Sequence, residues 1–351
     1  MSLDRTINRR TVFKGAGGLA AASIIGAGAA WSGVTPAHAE GLEVVNHETD
    51  GRMETYEFVT PSVRKVENPS VLAKKFNPSV TRNPRVNVLL PDNYSSGKRY
   101  PVLYLFHGGA GAYDFYDKGL NIRELTAGRE LIVVMPDAAV GWHCDPVKSL
   151  AGPRNWETFH MKELLPWVDA TFRTFPEQAG RAVSGFSMGG FGALKYVAKY
   201  SDKFASVSAH SGPANLRSKA VEGIVPNLII AWANLTSHAE FGQPVYGRWP
   251  RWHQDLITAD NPIENIESYR NKRIFLVSGN NKDIINFQIV GIISSALNEY
   301  FVRETQHEFT AALDSAGIKY ERYEEQGGHF VRPERLQQDI DGVVAHLRKA
   351  E

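Results

Sequence analysis

The stretch Gly185-Phe186-Ser187-Met188-Gly189 decides how this chain is interpreted. It follows a short strand-like run at residues 181–184 and precedes residues 190–198, whose pattern is typical of a buried helix. A strand, a sharp turn and a helix form the context in which a serine is presented as a nucleophile. Glycines flank the serine because a strained turn leaves no room for side chains beside it. We therefore predict that Ser187 is a nucleophile next to a helix N-terminus, which favours a developing negative charge.

A second glycine-rich turn lies upstream of the serine. The apolar run at residues 101–106 has the pattern of a buried strand, and His107-Gly108-Gly109-Ala110-Gly111 follows it. In α/β-hydrolases a loop in this place supplies one backbone N–H of the oxyanion hole, and the residue after the nucleophile supplies the other. We therefore predict an oxyanion hole formed by the N–H groups of Gly109 and Met188. His107 precedes the serine and is interpreted as a residue that shapes the pocket.

His329 is the histidine whose position suits a general base. The chain contains 11 histidines, and His329 ends a Gly-Gly-His step between the last strand pattern (residues 320–323) and a helix-like C-terminal segment. A base on that loop can reach across to Ser187, and the order Ser, acid, His is the α/β-hydrolase order. Four others could line the cleft, but none of them follows the terminal strand: His143, His160, His210 and His253.

Two carboxylates are candidates for the acid that would orient this histidine. Asp283 follows the strand pattern at residues 274–279, which is where α/β-hydrolases commonly carry the acid. Glu299 lies in the helix-like segment 296–303, where a solvated carboxylate is the simpler interpretation. The residues themselves leave the two alternatives open.

The chain resembles the esterase D superfamily and, within it, the secreted mycolyltransferases of the antigen 85 type. The resemblance runs from about Met53 to about His329, and its more specific parts are the Trp-Glu-Thr-Phe block at residues 156–159 and the Ser-Met step of the turn. In antigen 85 proteins the acid is a glutamate directly before an Asn-Phe-Val-Arg segment, which matches residues 300–303 here. The resemblance therefore favours Glu299 over Asp283 as the acid.

The departures from the antigen 85 pattern bear on the acceptor of the acyl group. Those proteins carry Asp-Gly-Leu-Arg after the oxyanion strand, where Asp and Arg help to hold trehalose, and Ser-Trp after the catalytic histidine. This chain has His107-Gly108-Gly109-Ala110 and Phe330-Val331 instead, and its His-Gly-Gly form is closer to esterase D-like carboxylesterases. We therefore expect hydrolysis of carboxylic esters through an acyl-serine. Acyl transfer to a sugar or glycerol is the alternative, and a non-catalytic surface-binding protein is the less favoured one.

The first 39 residues have the pattern of an export signal. Residues 8–14 form a twin-arginine motif, residues 15–30 are weakly apolar and rich in Gly and Ala, and Ala37-His38-Ala39 fits a cleavage site. The apolar stretch is too short and too rich in glycine for a good spanning helix, and a retained N-terminal anchor is the alternative. We predict a signal peptide over residues 1–39, bacterial twin-arginine export, and a secreted or cell-envelope location without stable membrane insertion of the mature chain.

Composition bounds the remaining possibilities. The chain has 39 basic and 38 acidic residues, a formal charge of +1, so no basic excess argues for nucleic acid. Cys144 is the single cysteine, which rules out an intrachain disulfide. The histidines and carboxylates lack the spacing of metal ligands. We therefore predict no cofactor and no metal, with a small-molecule or lipid ester as the substrate.

Strand and helix patterns alternate in the way expected of a single α/β-hydrolase domain over residues 40–351. The eight strand patterns span residues 55–60, 86–90, 102–106, 131–135, 182–184, 205–210, 274–279 and 320–323. They predict a mostly parallel central sheet with helices on both faces and a cap-like insertion between residues 210 and 274. In that insertion, residues 223–232 are unusually apolar and predict either a helix packed on the core or a cap that accepts an acyl chain. A further helix is predicted from Trp156, with Asn155 as its N-cap.

Overall fold

The computed structural model describes residues 41–67, 69, 78–95, 97–109, 111–219, 227–248, 250–280 and 290–351, without the side chains of residues 290–298. The predicted signal peptide, Ala110 and Asp283 lie outside the described residues. The strands are β1 (Glu43–Asp50), β2 (Met53–Val59), β3 (Arg85–Leu89), β4 (Val102–Phe106), β5 (Ile132–Pro136), β6 (Arg181–Phe186), β7 (Ser206–His210), β8 (Arg273–Gly279) and β9 (Glu321–Glu325).

These strands form one sheet in the order β1-β2-β3-β5-β4-β6-β7-β8-β9. The strands from β4 to β9 pair in parallel, whereas β1, β2 and β3 extend the sheet through antiparallel pairs. The predicted strands correspond to β2–β9, with ends that differ by up to two residues. β1 is the strand that the patterns miss, because all eight of its side chains are exposed and show no alternation.

Helices cover both faces of this sheet. The α-helical segments are α1 (Phe115–Leu120), α2 (Ile122–Leu125), α3 (Trp156–Thr158), α4 (Leu165–Thr171), α5 (Met188–Lys199), α6 (Leu228–Phe241), α7 (Gln254–Asp260), α8 (Val290–Ser315) and α9 (Pro333–His346). A π-helical segment, Phe159–Leu164, joins α3 to α4, and 3₁₀ turns span Pro78–Thr81, Gln178–Gly180 and Pro262–Tyr269. Within the described ranges, no helix combines the length and the hydropathy of a membrane-spanning segment.

The alternation of side chains along β4 divides the core into two parts. Val102, Tyr104 and Phe106 point into the larger cluster, which also contains the apolar residues of α5. Leu103 and Leu105 point into the smaller cluster on the other face, which contains the apolar residues of α9. A strand that is covered on both faces has no polar side, which explains why residues 102–106 read as a continuous apolar run.

The helix that begins at Trp156 is confirmed, and Asn155 occupies its N-cap position. The Asn155 side chain makes no capping hydrogen bond. Instead the Asp145 carboxylate accepts hydrogen bonds from the backbone N–H of Thr158 at 3.1 Å and from its hydroxyl at 2.6 Å. A partner 13 residues upstream leaves no local sequence pattern, so inspection of the helix start alone could not reveal it.

The insertion between β7 and β8 contains α6, which packs on the core with one face. Ile229 and Ile230 are buried there, whereas Trp232 and Leu235 are exposed on the other face. The core-packing alternative for residues 223–232 is therefore confirmed for Leu228 onward, and residues 223–226 lie outside the described part of the chain. The exposed face leaves the cap alternative untested.

His143 and His160 lie in the core rather than in the cleft. Their ring centroids are 5.4 Å apart, and both rings pack against Phe106. The His160 ring bonds to the Asp137 carbonyl and the Tyr196 hydroxyl, whereas neither ring nitrogen of His143 has a hydrogen-bond partner among the described residues. Burial lowers the pKa of His143 well below its ordinary value. Burial also lowers the pKa of His160 to about 4, against the opposing effect of its bond to Asp137. Both imidazoles are therefore neutral near pH 7.

These neutral imidazoles predict a loss of stability in mild acid. Between about pH 6.5 and 4 these two histidines bind protons in the unfolded chain but stay neutral in the folded protein. The free energy of unfolding therefore falls as the pH falls through this window. At pH 4 the loss from His160 alone is about 3 kcal/mol. His143→Phe removes no hydrogen bond of the ring but is bulkier at a fully buried position, so its melting temperature is compared with its own value at pH 7.5 and should fall less than that of wild type on going to pH 5. Thermal unfolding followed by circular dichroism measures both, with the exposed His238→Gln as control. A His143→Phe curve parallel to wild type from pH 7.5 to 5 would contradict the prediction.

Candidate active site

Ser187 occupies a strained turn between β6 and α5. Its backbone has φ +56° and ψ −118°, a conformation that a non-glycine residue adopts only when its surroundings enforce it. The Ser187 N–H donates to the His210 carbonyl at 2.8 Å, and its own carbonyl accepts from the N–H of Phe191 at 3.0 Å. These bonds anchor the turn to β7 on one side and to the first turn of α5 on the other.

The flanking glycines are required by close backbone contacts. A Cβ added at Gly185 would overlap the carbonyl group of Gly189, and one added at Gly189 would overlap the carbonyl of Phe106 at the end of β4. Since backbone atoms cannot move aside as a flexible side chain can, neither position has room for a larger residue. The steric reason inferred from the sequence for these two glycines is therefore confirmed.

Ser187, His329 and Glu299 are joined by hydrogen bonds. The Nε2 atom of His329 lies 2.7 Å from Ser187 Oγ, and its Nδ1 atom lies 2.6 Å from Glu299 Oε2. An ionised Glu299 can only accept, so Nδ1 carries the proton and Nε2 accepts from the serine hydroxyl. Glu299 is fully buried, whereas the His329 side chain is 14% exposed. The structure thus brings together three of the predicted site residues, and it contains no description of Asp283.

The second carboxylate oxygen of Glu299 is held by two donors that the sequence patterns do not reveal. The Ser211 hydroxyl donates to Oε1 at 2.8 Å, and the backbone N–H of Gly279 donates to the same oxygen. Ser211 lies in the turn after β7, and Gly279 ends β8. Ser211 and Gly279 are 88 and 20 residues away from Glu299 in the sequence. No local motif therefore marks them as its partners.

Arg332 supports the loop that carries His329. Its guanidinium donates to the carbonyls of Phe330 at 3.1 Å and Gly328 at 3.2 Å. Burial lowers the pKa of Arg332, and the negative charges of Glu299 and Glu325 oppose that effect. The arginine is buried, so its bonds to the carbonyls on both sides of His329 restrict the shape of this loop.

The loop after β4 lies against the nucleophile. A Cβ added at Gly108 would stand 3.4 Å from the Cβ of Ser187, so Gly109, the next residue, follows directly on this contact. Met188 is the first residue of α5, and its N–H therefore has no acceptor within that helix. These positions are compatible with the predicted oxyanion hole.

His107 holds this loop through hydrogen bonds of both its ring nitrogens. Its Nδ1–H donates to the Gly108 carbonyl at 2.7 Å, and its Nε2 accepts from the N–H of Ala138 at 2.9 Å. Burial lowers the pKa of His107, so the ring stays neutral and keeps one donor and one acceptor. The prediction that His107 shapes the pocket agrees with this arrangement.

Among the described residues, no group of three or more His, Cys, Asp or Glu side chains is placed to hold a metal ion.

The sheet and the strained serine turn at its centre define an α/β-hydrolase fold. The chain belongs to the Esterase family: the family model described as "Putative esterase" matches residues 78–341. The resemblance to the esterase and antigen 85 superfamily inferred from the sequence is therefore confirmed.

Two groups of curated relatives are similar to the chain. Esterase Rv1288 of Mycobacterium tuberculosis H37Rv is 49% identical over 317 residues, which cover 88% of this chain and 63% of that protein. The MPT51/MPB51 antigen of Mycobacterium bovis is 26% identical over 220 residues, 58% of this chain and 69% of that protein. The chain thus spans 63% of the length of the more similar relative.

Solved structures agree on the fold. An S-formylglutathione hydrolase from Agrobacterium tumefaciens has a TM-score of 0.60 at 13% identity, covering 88% of this chain and all of its own. MPT51 of Mycobacterium tuberculosis has a TM-score of 0.58 at 19% identity, covering 77% of this chain and 96% of its own. The predicted fold class, a mostly parallel sheet between layers of helices, is therefore confirmed.

Proposed function

We propose that this protein is a serine esterase that hydrolyses carboxylic esters. The observation that carries the proposal is the continuous set of hydrogen bonds from Ser187 through His329 to Glu299 in a member of the Esterase family. A strained serine whose hydroxyl is hydrogen-bonded to an imidazole is the arrangement that activates this side chain as a nucleophile. A protein that only binds a surface has no need of it, which argues against the non-catalytic alternative.

In the proposed mechanism Ser187 Oγ attacks the ester carbonyl while His329 Nε2 takes its proton. Glu299 holds the imidazole in the tautomer that can accept this proton and then stabilises the imidazolium. The N–H groups of Gly109 and Met188 would donate to the oxyanion, and one such donor typically contributes about 3–4 kcal/mol to the transition state. His329 next protonates the leaving alcohol. It then takes a proton from the water that attacks the acyl-Ser187 carbonyl and returns it to Ser187 Oγ as the acyl–oxygen bond breaks and the acid leaves. No cofactor takes part in these steps.

The surroundings of the site favour water over a sugar as the acceptor. His107 stands where antigen 85 proteins place their trehalose-holding aspartate, and both of its ring nitrogens are bonded to the backbone. Val331 stands at the tryptophan position and is buried and apolar. Neither side chain can bond to a hydroxyl group of an acceptor, so an alcohol here would lose hydration with little return. Ala110, at the arginine position, has no polar side-chain atom.

The cellular setting is a proposal that rests on the sequence pattern alone. The twin-arginine motif and the Ala-His-Ala step support export of a folded protein with a signal over residues 1–39 and one catalytic domain over residues 40–351. A small-molecule or lipid ester is the proposed substrate in the cell envelope or outside the cell.

The nucleophile is tested by Ser187→Ala. Wild-type protein should hydrolyse short p-nitrophenyl esters and carry a fluorophosphonate label on Ser187, located by peptide mass spectrometry. The variant should lose the label and about 10⁴-fold or more in kcat, because the oxyanion donors alone give little turnover. Ser95→Ala, at an exposed serine, is the control and should behave as wild type. Wild-type turnover by Ser187→Ala would refute the assignment.

The acid is tested by comparing Glu299→Gln with Asp283→Asn. A glutamine at 299 can still accept from Ser211 and Gly279 through its carbonyl oxygen, so the fold should survive. Its NH₂ group would face His329 Nδ1 and favour the wrong tautomer, so kcat should fall by about 10³–10⁴-fold. Asp283→Asn should change kcat less than about tenfold. The reverse ranking, measured at equal melting temperature, would transfer the role to Asp283.

The acceptor is tested by product analysis. With an ester donor and millimolar trehalose or glycerol, free acid should be the main product, and the acceptor should barely change the rate of donor loss. This follows because the described side chains at the acceptor positions cannot bond to hydroxyl groups. Acylated trehalose as the main product in mass spectrometry would instead establish the transferase alternative.

A further inference from the structure

The side chain of Phe186, the residue before the proposed nucleophile, contacts three parts of the site at once. Its ring centroid lies 5.0 Å from that of His329, with the planes inclined by 39°. It also stacks on Phe115 of α1, with the ring centroids 6.0 Å apart and the planes inclined by 1°. A Cβ added at Gly108 would stand 2.8 Å from a carbon of the Phe186 ring. One aromatic ring therefore packs between the base, the loop after β4 and α1.

The hydrogen bonds of His329 to Ser187 Oγ and Glu299 Oε2 do not by themselves oppose one motion of its ring. These two partners bond to nitrogen atoms on opposite sides of the imidazole. Tilting of the ring about the line through these two nitrogens lengthens neither bond appreciably. The Phe186 ring, whose centroid lies 5.0 Å from that of the imidazole, stands close enough to oppose this tilt.

The same ring suits the charge that forms during the reaction. When His329 takes the serine proton it becomes an imidazolium, and the electron-rich face of an aromatic ring attracts a cation within about 6 Å. The contact at Gly108 extends the effect to the loop that carries Gly109, because movement of the Phe186 ring would remove the surface on which this loop rests.

We propose that Phe186 is a positioning residue, which fixes the tilt of His329 and the position of the Gly108–Gly109 loop relative to Ser187. This inference rests on the proposed function. It explains the choice of a phenylalanine at a position that the G-x-S-x-G pattern leaves open. It also assigns Phe115 a supporting role, since the Phe115 ring stacks on that of Phe186.

The test compares Phe186→Ala, Phe186→Leu and Phe186→Tyr on a short p-nitrophenyl ester. Loss of alignment acts on the chemical step, and a misplacement of about 1 Å can cost about 100-fold in rate. Phe186→Ala should therefore lower kcat at least 20-fold while KM stays within about threefold. Phe186→Leu should also fall at least fivefold, and Phe186→Tyr, which keeps the ring, should recover to within threefold of wild type.

The control for general destabilisation is Phe175→Ala. Phe175 is a buried aromatic residue that precedes β6, at the end of the strand opposite to Ser187. Phe175→Ala should lower the melting temperature without changing kcat.

The proposal is overturned if kcat of Phe186→Leu stays within fivefold of wild type, or if Phe186→Tyr has no higher kcat than Phe186→Leu. It is also overturned if Phe175→Ala loses as much kcat as Phe186→Ala does. If Phe186→Ala does not fold, the comparison of kcat between Phe186→Leu and Phe186→Tyr tests the proposal. Failure of fluorophosphonate to label Ser187 in the wild-type protein would instead overturn the proposed function.

Discussion

The close passage of three backbone segments around Ser187 is the constraint on which the site depends. β4 ends against the first turn of α5 so tightly that Gly189 has no room for a Cβ, and Gly185 is confined in the same way. Held between them, Ser187 keeps a backbone conformation that it would otherwise leave. The loop after β4 then lies beside the serine, because the strand that carries it is part of the same contact.

A buried carboxylate ties the sheet together beneath this turn. Asp339 of α9 accepts hydrogen bonds from Ser184 at 2.9 Å, Ser208 at 2.6 Å and His210 at 3.0 Å, and it pairs with Arg273 at 2.8 Å. Burial alone would raise its pKa, but His210, Arg273 and Ser208 together lower it to about 2. The last helix is thereby fastened to β6, β7 and β8. His210 also accepts the Ser187 N–H through its carbonyl, so this network and the serine turn share a residue.

Local patterns explain what could be predicted from the sequence. The serine turn, the glycine loop and β4 are each marked by residue types within a few positions of one another, so local patterns identified them although contacts remote in sequence hold them in place. Ser211, Gly279 and the cap from Asp145 act across long sequence separations, so no pattern marks them. The choice of Glu299 came from family resemblance, because a carboxylate in the middle of a helix looks solvated until the surrounding strands are known. β1 was not predicted because none of its side chains is buried, so its sequence has no apolar pattern of a strand.

The distance along the chain between the serine and its histidine has a consequence for how the protein is made. His329 follows Ser187 by 142 residues, and Glu299 comes from a third segment between them. The ribosome therefore synthesises the serine turn well before it adds Glu299 and His329. A nascent chain that stops short of β9 lacks the imidazole altogether, so under the proposed mechanism each molecule remains inert while it is synthesised. Reactivity toward esters would begin only when the final part of the chain has folded onto the sheet.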